Sequence, residues 1–481
     1  MLRGRAIEVM SWVMLLVAAG WFAYRGPVFL ASSGNYDFNL VYGSARAWLV
    51  GLNPYERDEV ERAWLSAGGP AEVHPLGPRP SAVLLYPVSA FAALSPIAAL
   101  PFGAARVVWS MANVAGVLGS IVILGRIAGL RGWAWRVFAA LALAYWPTMS
   151  GLRLGQTPIV VLGLVCASRV VGGGGGAGRG VILGVASAIK PQLGALFVVY
   201  ELGRGRWRAG LVGLAAAVVL FGVGAARSSV AGVDWWGSWR ANLAAFAVGD
   251  DGNPTAANAI RHHMINLHYP LHTLTDDRGL VRVMVYGIVG GLCLAYLAMD
   301  MRRGRERGEG RGELLSLSMT SAVTLAVAYH RSYDAVILLI PMAMAVGGLG
   351  RRDEGTGGRS GREEEAGEGV EGGVEEPPWR GGGPKSTDRS EQRSVARESV
   401  ARGQPARWMH GVTLALVLVH ALPTAIGLVE LAARGKIPAA ITETGVWRGL
   451  MVPHQAWLLL ALVGWLVVMR WRTGRVASGE D

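Results

Sequence analysis

The sequence predicts an all-α polytopic membrane protein with about ten transmembrane helices and further re-entrant or interfacial helices. Three observations predict this fold class. The 481 residues are 52% hydrophobic and only 17% charged, which is too apolar for a soluble chain of this length. Several apolar runs exceed the roughly 18 residues that mark a transmembrane helix. Arginines stand at the ends of these runs, where they set the orientation of the helices.

The composition also excludes other classes of protein. The net charge of +12 comes from the arginines that flank the apolar runs, so it does not indicate binding to nucleic acid. Cys166 and Cys293 both lie within apolar runs and are predicted to be small buried hydrophobic residues. Two such cysteines form neither a disulfide framework nor a zinc-ligand spacing.

The first apolar run follows Arg3 and Arg5 and resembles a signal peptide. Trp21, Phe22 and Tyr24 make a poor cleavage site, so we expect this segment to stay attached as a signal anchor. Hydropathy predicts ten spans, at about 9–30, 104–125, 134–150, 157–171, 209–226, 279–300, 314–330, 334–350, 409–432 and 455–470.

Two further apolar segments are interrupted by prolines and are not simple spans. Residues 83–100 contain Pro87 and Pro96 and are predicted to form an interfacial or re-entrant helix pair. Residues 179–202 have Lys190-Pro191 at their centre. We predict two half-helices there, which enter the bilayer and return to the same side. Such breaks are tolerated at membrane depth only where protein or water satisfies the freed backbone groups.

The distribution of basic residues tests this topology. The short segments placed inside hold 17 arginines in 60 residues, whereas those placed outside hold 13 lysines or arginines in 135 residues. This difference has the direction of the positive-inside rule. We therefore expect a multi-pass protein of the plasma (cytoplasmic or inner) membrane with both termini in the cytoplasm. Two large outer loops, 31–82 and 227–278, would carry an extracytoplasmic active site.

Residues 351–407 differ in composition from the rest of the chain. They are rich in Gly, Glu, Arg and Ser, and their acidic and basic residues nearly cancel. Such a segment cannot bury enough apolar surface to fold, so we predict a disordered cytoplasmic loop whose deletion spares activity. It separates a transmembrane core, residues 1–350, from a C-terminal helix pair with a short cytoplasmic tail, residues 408–481.

The predicted topology places the polar motifs of interest on the outer face. Asp37, preceded by Tyr36, follows the first span directly, where a carboxylate can act on a lipid-carried substrate or simply cap the following helix. Lys190 lies within an apolar segment, and an embedded cation is costly without a partner or a polar cavity. A phosphate or the carboxylate of a neighbouring helix would be its natural partner, and Gln192 lies close by in the chain.

Two very short outer turns carry the remaining candidates. Arg153 and Gln156 lie in the first turn, where Gln156 either serves the site or caps a helix end. His330, Arg331 and Asp334 crowd the second turn. The planar guanidinium of Arg331 suits contact with a phosphate.

Several short motifs, in this order and spacing, resemble glycosyltransferase family 87. They are Tyr36-Asp37-Phe38, Gly51-Leu-Asn-Pro-Tyr55, Tyr86-Pro87, Gly155-Gln156 and Ala188-Ile189-Lys190-Pro191-Gln192. Members of that family are multi-span enzymes of the GT-C fold that use polyprenyl-phosphate mannose as the donor. The resemblance covers about residues 10–350.

The resemblance implies a hexosyltransferase of the mannosyltransferase type, which moves a sugar from polyprenyl phosphate to an extracytoplasmic glycan or glycolipid. Asp37 would be the general base of an inverting single displacement. The implied partners are a lipid-linked donor and membrane lipid. Whether a divalent ion binds between Asp37 and the donor phosphate is left open. Contacts with the donor phosphate or substrate would come from Tyr36, Arg153, Gln156, Lys190, Gln192, His330 and Arg331.

Two other classes of function stay open at this point. Broken helices and an embedded lysine also fit a transporter or a flippase for lipid-linked sugars, although the sequence contains no inverted repeat. A non-catalytic membrane scaffold would tolerate substitution of Asp37 and Lys190. Within the enzyme hypothesis, a pentose on the same lipid is an alternative to the hexose.

Overall fold

A computed structural model shows mostly helices and, within the residues it describes, no strands, which confirms the predicted all-α class. The described residues are 2–28, 36–76, 84–171, 176–248, 253–255, 258, 261–302, 311–350 and 407–420 and, with short gaps, 429–478. The predicted cytoplasmic loop, apart from its last residue, lies outside them. The helices are α1 (Leu2–Ala23), α2 (Tyr36–Val50), α3 (Arg57–Ser66), α4 (Val88–Ala98), α5 (Phe102–Ile127), α6 (Gly132–Ala144), α7 (Trp146–Leu154), α8 (Thr157–Val170), α9 (Ala177–Ile189), α10 (Pro191–Gly203), α11 (Trp207–Val230), α12 (Trp235–Val248), α13 (His268–Leu271), α14 (Arg278–Arg302), α15 (Arg311–Val327), α16 (Leu339–Leu349), α17 (Arg407–His420), α18 (Ala439–Thr442) and α19 (His454–Ser478).

Six helical segments in the described part of the chain are long and apolar enough to cross a membrane, which indicates a multi-pass membrane protein. Each of them overlaps a predicted span. The predicted spans 134–150, 157–171 and 314–330 correspond to shorter helices, and 409–432 lies only partly within the described residues, so the count of about ten crossings stays a prediction. The six segments are Gly4–Gly26, Phe102–Ile127, Trp207–Val230, Arg278–Ala298, Ser332–Leu349 and His454–Arg472.

The predicted span 134–150 is wrong as a single helix, because the chain leaves the helical conformation at Tyr145. Pro147 explains this break, since proline lacks an amide hydrogen and clashes with the carbonyl four residues earlier. Gly155 then ends α7 in the left-handed conformation, with φ of 67°, which glycine adopts without strain. Helices α7 and α8 consequently meet at 117°, and Gln156 stands at the corner between them.

Residues 179–202 form two helices that meet at Lys190, as predicted. Each of these helices, α9 and α10, has 13 residues, so each measures about 20 Å and is shorter than the ~30 Å hydrocarbon core. Gly194 allows them to pack closely, because a Cβ atom there would lie 2.6 Å from backbone atoms of Ala186 and Ser187. The hairpin therefore presents Lys190 at its tip.

Residues 84–100 form one helix, α4, instead of the predicted helix pair. This helix continues through Pro96, which cannot donate a hydrogen bond to the carbonyl of Ala92. The hydroxyl of Ser95 donates to that carbonyl instead, at 2.8 Å. This substitute hydrogen bond helps α4 to reach Ala98.

Small residues bring the helices together around the hairpin. A Cβ atom on Gly184 of α9 would lie 2.5 Å from the carbonyl oxygen of Gly213 in α11. The C-terminal part of the chain packs on the core in the same way, since Gly348 of α16 lies against the ring of His410 in α17. The buried apolar residues thus form a continuous core from α1 to α19.

Candidate active site

Asp37 and Gln156, which come from two separate turns in the sequence, are in direct contact. Asp37 lies in the first turn of α2, where a negative charge interacts favourably with the helix dipole. Gln156 is buried at the corner after Gly155, and its Nε2 donates a hydrogen bond to Oδ2 of Asp37. The indole of Trp109 donates to the carbonyl of Gly155 at 2.7 Å and holds this corner in place. The amide of Gln156 therefore orients the carboxyl group of Asp37.

Lys190 forms a buried ion pair with Asp334. The Nζ and Oδ1 atoms are 2.5 Å apart, and the two side chains are only 7% and 2% exposed. The ammonium group also lies 5.4 Å from the centre of the Tyr333 ring. Asp334 is thus the neighbouring carboxylate that an embedded cation requires. The sequence analysis named both residues but did not pair them.

The turn at residues 330–334 is organised by the carboxylate of Asp334. The backbone amide of Arg331 donates to Oδ2 at 3.2 Å, as part of a capping box that starts the 3₁₀ helix Ser332–Leu338. His330 places Nδ1 at 3.0 Å from the same oxygen and Nε2 at 3.0 Å from the carbonyl of Thr324. Because both oxygens only accept, both contacts are hydrogen bonds when the ring carries two protons.

The electrostatic environment of Asp37 shifts the pKa of its carboxyl group. Burial raises the pKa of the Asp37 carboxyl above its ordinary value. The hydrogen bond from Gln156 and the positive charges of Arg331 and Lys190 oppose this shift without cancelling it. A carboxylate with a raised pKa binds a proton more readily than an exposed aspartate does, which suits a general base.

Two tyrosines that were not among the predicted contacts complete the site. The Tyr86 hydroxyl lies 2.9 Å from Oγ1 of Thr157, the first residue of α8. Burial raises the pKa of this hydroxyl, and the charges of Asp37 and Asp334 raise it further, so it remains a neutral donor. Tyr333 faces Lys190 through its ring. The Tyr86-Pro87 motif was a signal for the first of them, and the position of Tyr333 in the short outer turn 329–334 was a signal for the second.

The remaining predicted residues lie around this centre. The side chain of Tyr36 lies outside the described part of the structure. Arg153 is half-buried in α7, and Gln192 is exposed at the start of α10, where its carbonyl accepts the Thr324 hydroxyl at 2.6 Å. We refer to the assembled residues Asp37, Gln156, Lys190, His330, Arg331 and Asp334 as the Asp37 cluster.

Part of the second predicted outer loop packs directly on this cluster. The amide of Ile265 donates to the carbonyl of His330 at 3.0 Å, and Met264 forms an antiparallel bridge with Arg331. The guanidinium of Arg331 in turn donates from Nε to the hydroxyl of Tyr329 at 2.5 Å. The loop therefore helps to fix the position of Arg331.

In the part of the chain that the structure describes, no group of three or more His, Cys, Asp or Glu side chains is arranged to hold a metal ion. A divalent ion held by Asp37 and a donor phosphate stays a prediction.

Comparison with known proteins gives one match. A family model described as glycosyltransferase family 87 matches residues 84–328, just over half of the chain. The match includes Gln156 and Lys190 and leaves out Asp37 and the turn at 330–334. The contacts described above join these flanking residues to the matched part. No curated protein and no solved structure matches the chain significantly.

Proposed function

Because the chain belongs to glycosyltransferase family 87, we propose that it transfers a hexose from a polyprenyl-phosphate sugar to an extracytoplasmic glycan or glycolipid. Mannose is the proposed sugar, and Asp37 is the proposed general base of an inverting single displacement. The observation that carries this proposal is the half-buried Asp37 carboxylate, which is oriented by Gln156 and has a raised pKa. Membership of the family supports a membrane glycosyltransferase, and the multi-pass helices agree with it.

The proposed reaction uses Asp37 to activate the acceptor. Gln156 occupies Oδ2, so Oδ1 would take the proton from the acceptor hydroxyl. The hydroxyl oxygen attacks the anomeric carbon of the donor as the bond from that carbon to the phosphate oxygen breaks. The bonding electrons leave with the phosphate, which departs as polyprenyl phosphate, and the sugar is transferred with inversion. A single displacement needs only this one carboxylate and no covalent intermediate.

The departing phosphate needs positive charge close to the reacting centre. Arg331 and Lys190 both act electrostatically on Asp37, which supports their proposed role at the donor phosphate. Asp334 offsets the charge of Lys190 through the 2.5 Å ion pair. Of the two, Arg331 is the stronger candidate for the phosphate, because a planar guanidinium can bind phosphate through two parallel hydrogen bonds.

The other predicted contacts complete the proposed binding site. His330 remains a proposed donor or substrate contact on the same turn as Arg331. Tyr36, Arg153 and Gln192 remain proposed donor or substrate contacts because each lies beside a cluster residue in the chain. The arginine distribution supports an extracytoplasmic site in the plasma membrane, with both termini in the cytoplasm.

The test is sugar transfer in isolated membranes. Polyprenyl-phosphate mannose with a labelled sugar is supplied to membranes that contain the wild type or Asp37→Asn at matched expression. We expect a labelled product from the wild type alone, with inverted anomeric configuration. Equal labelling by both proteins would remove Asp37 from the mechanism. Labelling only from the corresponding glucose or pentose donor would overturn the assignment of mannose while retaining the transferase.

A flippase of lipid-linked sugars is the second candidate, and the helix break at Lys190 is the observation that favours it. The two functions differ in their products. A flippase moves the intact donor across the bilayer without transferring the label, whereas a transferase releases polyprenyl phosphate in step with the product.

A further inference from the structure

A polar cavity lies beside the Asp37 cluster and is not used in the proposed reaction. Its volume is about 220 Å³, which is large enough for a headgroup of sugar size. Tyr329, which contacts Arg331, belongs to its wall. The polar residues that line it are Asn266, His268, His272, Arg278, Arg282 and Tyr329.

Two arginines give the cavity its charge. Arg278 and Arg282 lie four residues apart in the first two turns of α14, so they share one face of the helix. Both side chains are exposed at the cavity. Asp277, the nearest acid in the chain, caps the helix instead, since its Oδ1 accepts the amides of Gly279 and Leu280. The two guanidinium groups and the start of the helix together favour an anion.

Asn266 provides an independent sign of a ligand. Its side chain is 3% exposed and lines the cavity, and its Oδ1 has no hydrogen-bond partner in the part of the chain that the structure describes. A buried polar atom without a partner is costly, and native proteins rarely retain one without a role. An Oδ1 atom accepts hydrogen bonds, so it is suited to a ligand hydroxyl.

His272 adds a second acceptor. Its Nδ1 lies 3.2 Å from the carbonyl of Thr275, which requires a proton on that nitrogen and leaves Nε2 to accept in the neutral ring. Burial and the charges of Arg278 and Arg261 lower the pKa of His272, which favours the neutral form. The cavity therefore combines two acceptors for hydroxyl groups with two cations.

We propose that this cavity binds an acidic saccharide, with its hydroxyls on Asn266 and His272 and its phosphate or carboxylate on Arg278 and Arg282. This inference rests on the proposed transferase function and narrows it. The acceptor would be an acidic glycan or glycolipid, whose charged group is held here. Its reacting hydroxyl would extend past Tyr329 and Arg331 towards Asp37.

The test measures binding directly, so it does not depend on turnover. The full chain in nanodiscs of neutral phosphatidylcholine is titrated with mannose 6-phosphate, glucuronic acid, mannose and inorganic phosphate. The variants are Arg278→Gln/Arg282→Gln and Asn266→Ala. Arg240→Gln is the matched control, because Arg240 is an exposed arginine of the neighbouring helix α12 that does not line the cavity. Thermal unfolding of each variant verifies that it is folded.

We expect the wild type to bind mannose 6-phosphate and glucuronic acid more tightly than mannose. Substitution of both arginines should weaken the binding of the acidic sugars by at least ~10-fold, while Arg240→Gln should bind them as the wild type does. Asn266→Ala should weaken the binding of mannose 6-phosphate but not that of inorganic phosphate. Equal binding by the wild type and the double variant, or no binding at millimolar concentration, would overturn the site. Equal affinity for mannose 6-phosphate and inorganic phosphate would overturn the saccharide part.

A transfer assay then separates this inference from the proposed function. The double variant should raise the KM for an acidic acceptor and leave the KM for the lipid-linked donor unchanged. The reverse result would assign the cavity to the donor and overturn the proposal. Acidic-sugar binding without any transfer would count against the transferase and leave the cavity standing.

Discussion

Two buried charge clusters lie at opposite ends of the same helices, and they differ in how their carboxylates are compensated. Helix α8 begins beside Gln156 and carries Arg169 near its other end, while α10 begins beside Lys190 and carries Glu201 near its other end. One end holds the Asp37 cluster. At the other end lies a set that we call the Glu201 cluster, which consists of Arg169, Arg179, Glu201, Arg206 and Glu313.

Each carboxylate of the Glu201 cluster has more than one cationic partner. Glu201 is fully buried and lies 2.5 Å from Arg169, 3.6 Å from Arg179 and 3.5 Å from Arg206. Glu313 lies 2.7 Å from Arg206 and 3.2 Å from Arg169. Three arginines therefore surround two carboxylates. Such a network of ion pairs ties the helices together.

The Asp37 cluster contains one carboxylate of each kind. Asp334 is compensated by Lys190, as Glu201 is by its arginines, and it also contacts His330. Asp37 instead receives a hydrogen bond from the neutral amide of Gln156, and its pKa is raised. We infer that the carboxylate held by a neutral donor is the reactive one, whereas the carboxylates in ion pairs are structural. Substitutions at the two ends test this distinction.

The largest expected effect is on activity at Asp37. Asp37→Asn should lower kcat by about a hundred- to ten-thousand-fold, since this is the usual contribution of a general base. Thermal unfolding should show no loss of stability, because the amide is nearly isosteric and avoids a buried charge. Asp58→Asn, at an exposed aspartate of the same predicted outer loop, is the control and should retain wild-type activity. A loss of stability in Asp37→Asn would instead assign Asp37 a structural role.

The opposite result is expected at Glu201. Glu201→Gln removes one of the two carboxylates that balance three arginines and should lower the free energy of unfolding by about 3–5 kcal/mol. The activity of the folded fraction should be nearly unchanged, because the cluster lies at the far end of α10. Denaturant unfolding measures the first effect, and transfer assays normalised to folded protein measure the second. The exposed Glu72→Gln serves as the control and should alter neither. Full stability in Glu201→Gln would remove the structural role of the network.

A smaller effect is expected in the coupling between Lys190 and Asp334. Each single variant, Lys190→Met or Asp334→Asn, leaves a buried charge unpaired and should be strongly destabilised. The double variant should lose less stability than the sum of the two, by about 0.5–3 kcal/mol. Its activity should stay low if Lys190 also acts on the donor phosphate. Additive losses of stability would show that the two side chains do not form a pair in the folded protein.

The same two ends show what the sequence could and could not predict. The break at Lys190 was predictable because Lys-Pro interrupts an apolar run, and Asp37 because it follows the first span. The pairs Lys190–Asp334 and Asp37–Gln156 each join residues more than a hundred positions apart. Hydropathy and motif spacing describe only local structure, so they name such residues but cannot pair them.

Helix boundaries were predicted less well, for a related reason. The run at 134–150 is apolar enough for one span, yet Pro147 ends it at Tyr145. In 84–100, by contrast, Pro96 does not end the helix, because Ser95 supplies the missing hydrogen bond. Both segments are apolar and contain proline, so composition alone does not distinguish them. The hydrogen-bond donors beside each proline decide whether the helix continues.

The smallest expected effect is the pH dependence of stability that Asp37 causes. Its pKa is raised in the folded protein, whereas an unfolded aspartate has a pKa of about 3.9. Below that value both states carry the proton, and the side chain has no effect on pH dependence. As the pH rises towards the folded pKa, the unfolded state ionises first, so the wild type loses stability that Asp37→Asn keeps. Unfolding midpoints of the two proteins should therefore diverge from acid to neutral pH, with the variant the more stable at neutral pH.

Activity should depend on the same proton in the opposite sense. The base must be ionised to accept a proton, so kcat should fall as the pH falls through the raised pKa of Asp37, above the range of an ordinary aspartate. As the pH falls through this interval, the wild type would gain stability and lose activity. The Glu201 cluster, whose carboxylates are paired with arginines, gives no reason to expect such a combined change. A constant difference in midpoint between the wild type and Asp37→Asn would mean that Asp37 is as well compensated as Glu201, and the distinction between the two ends would fail.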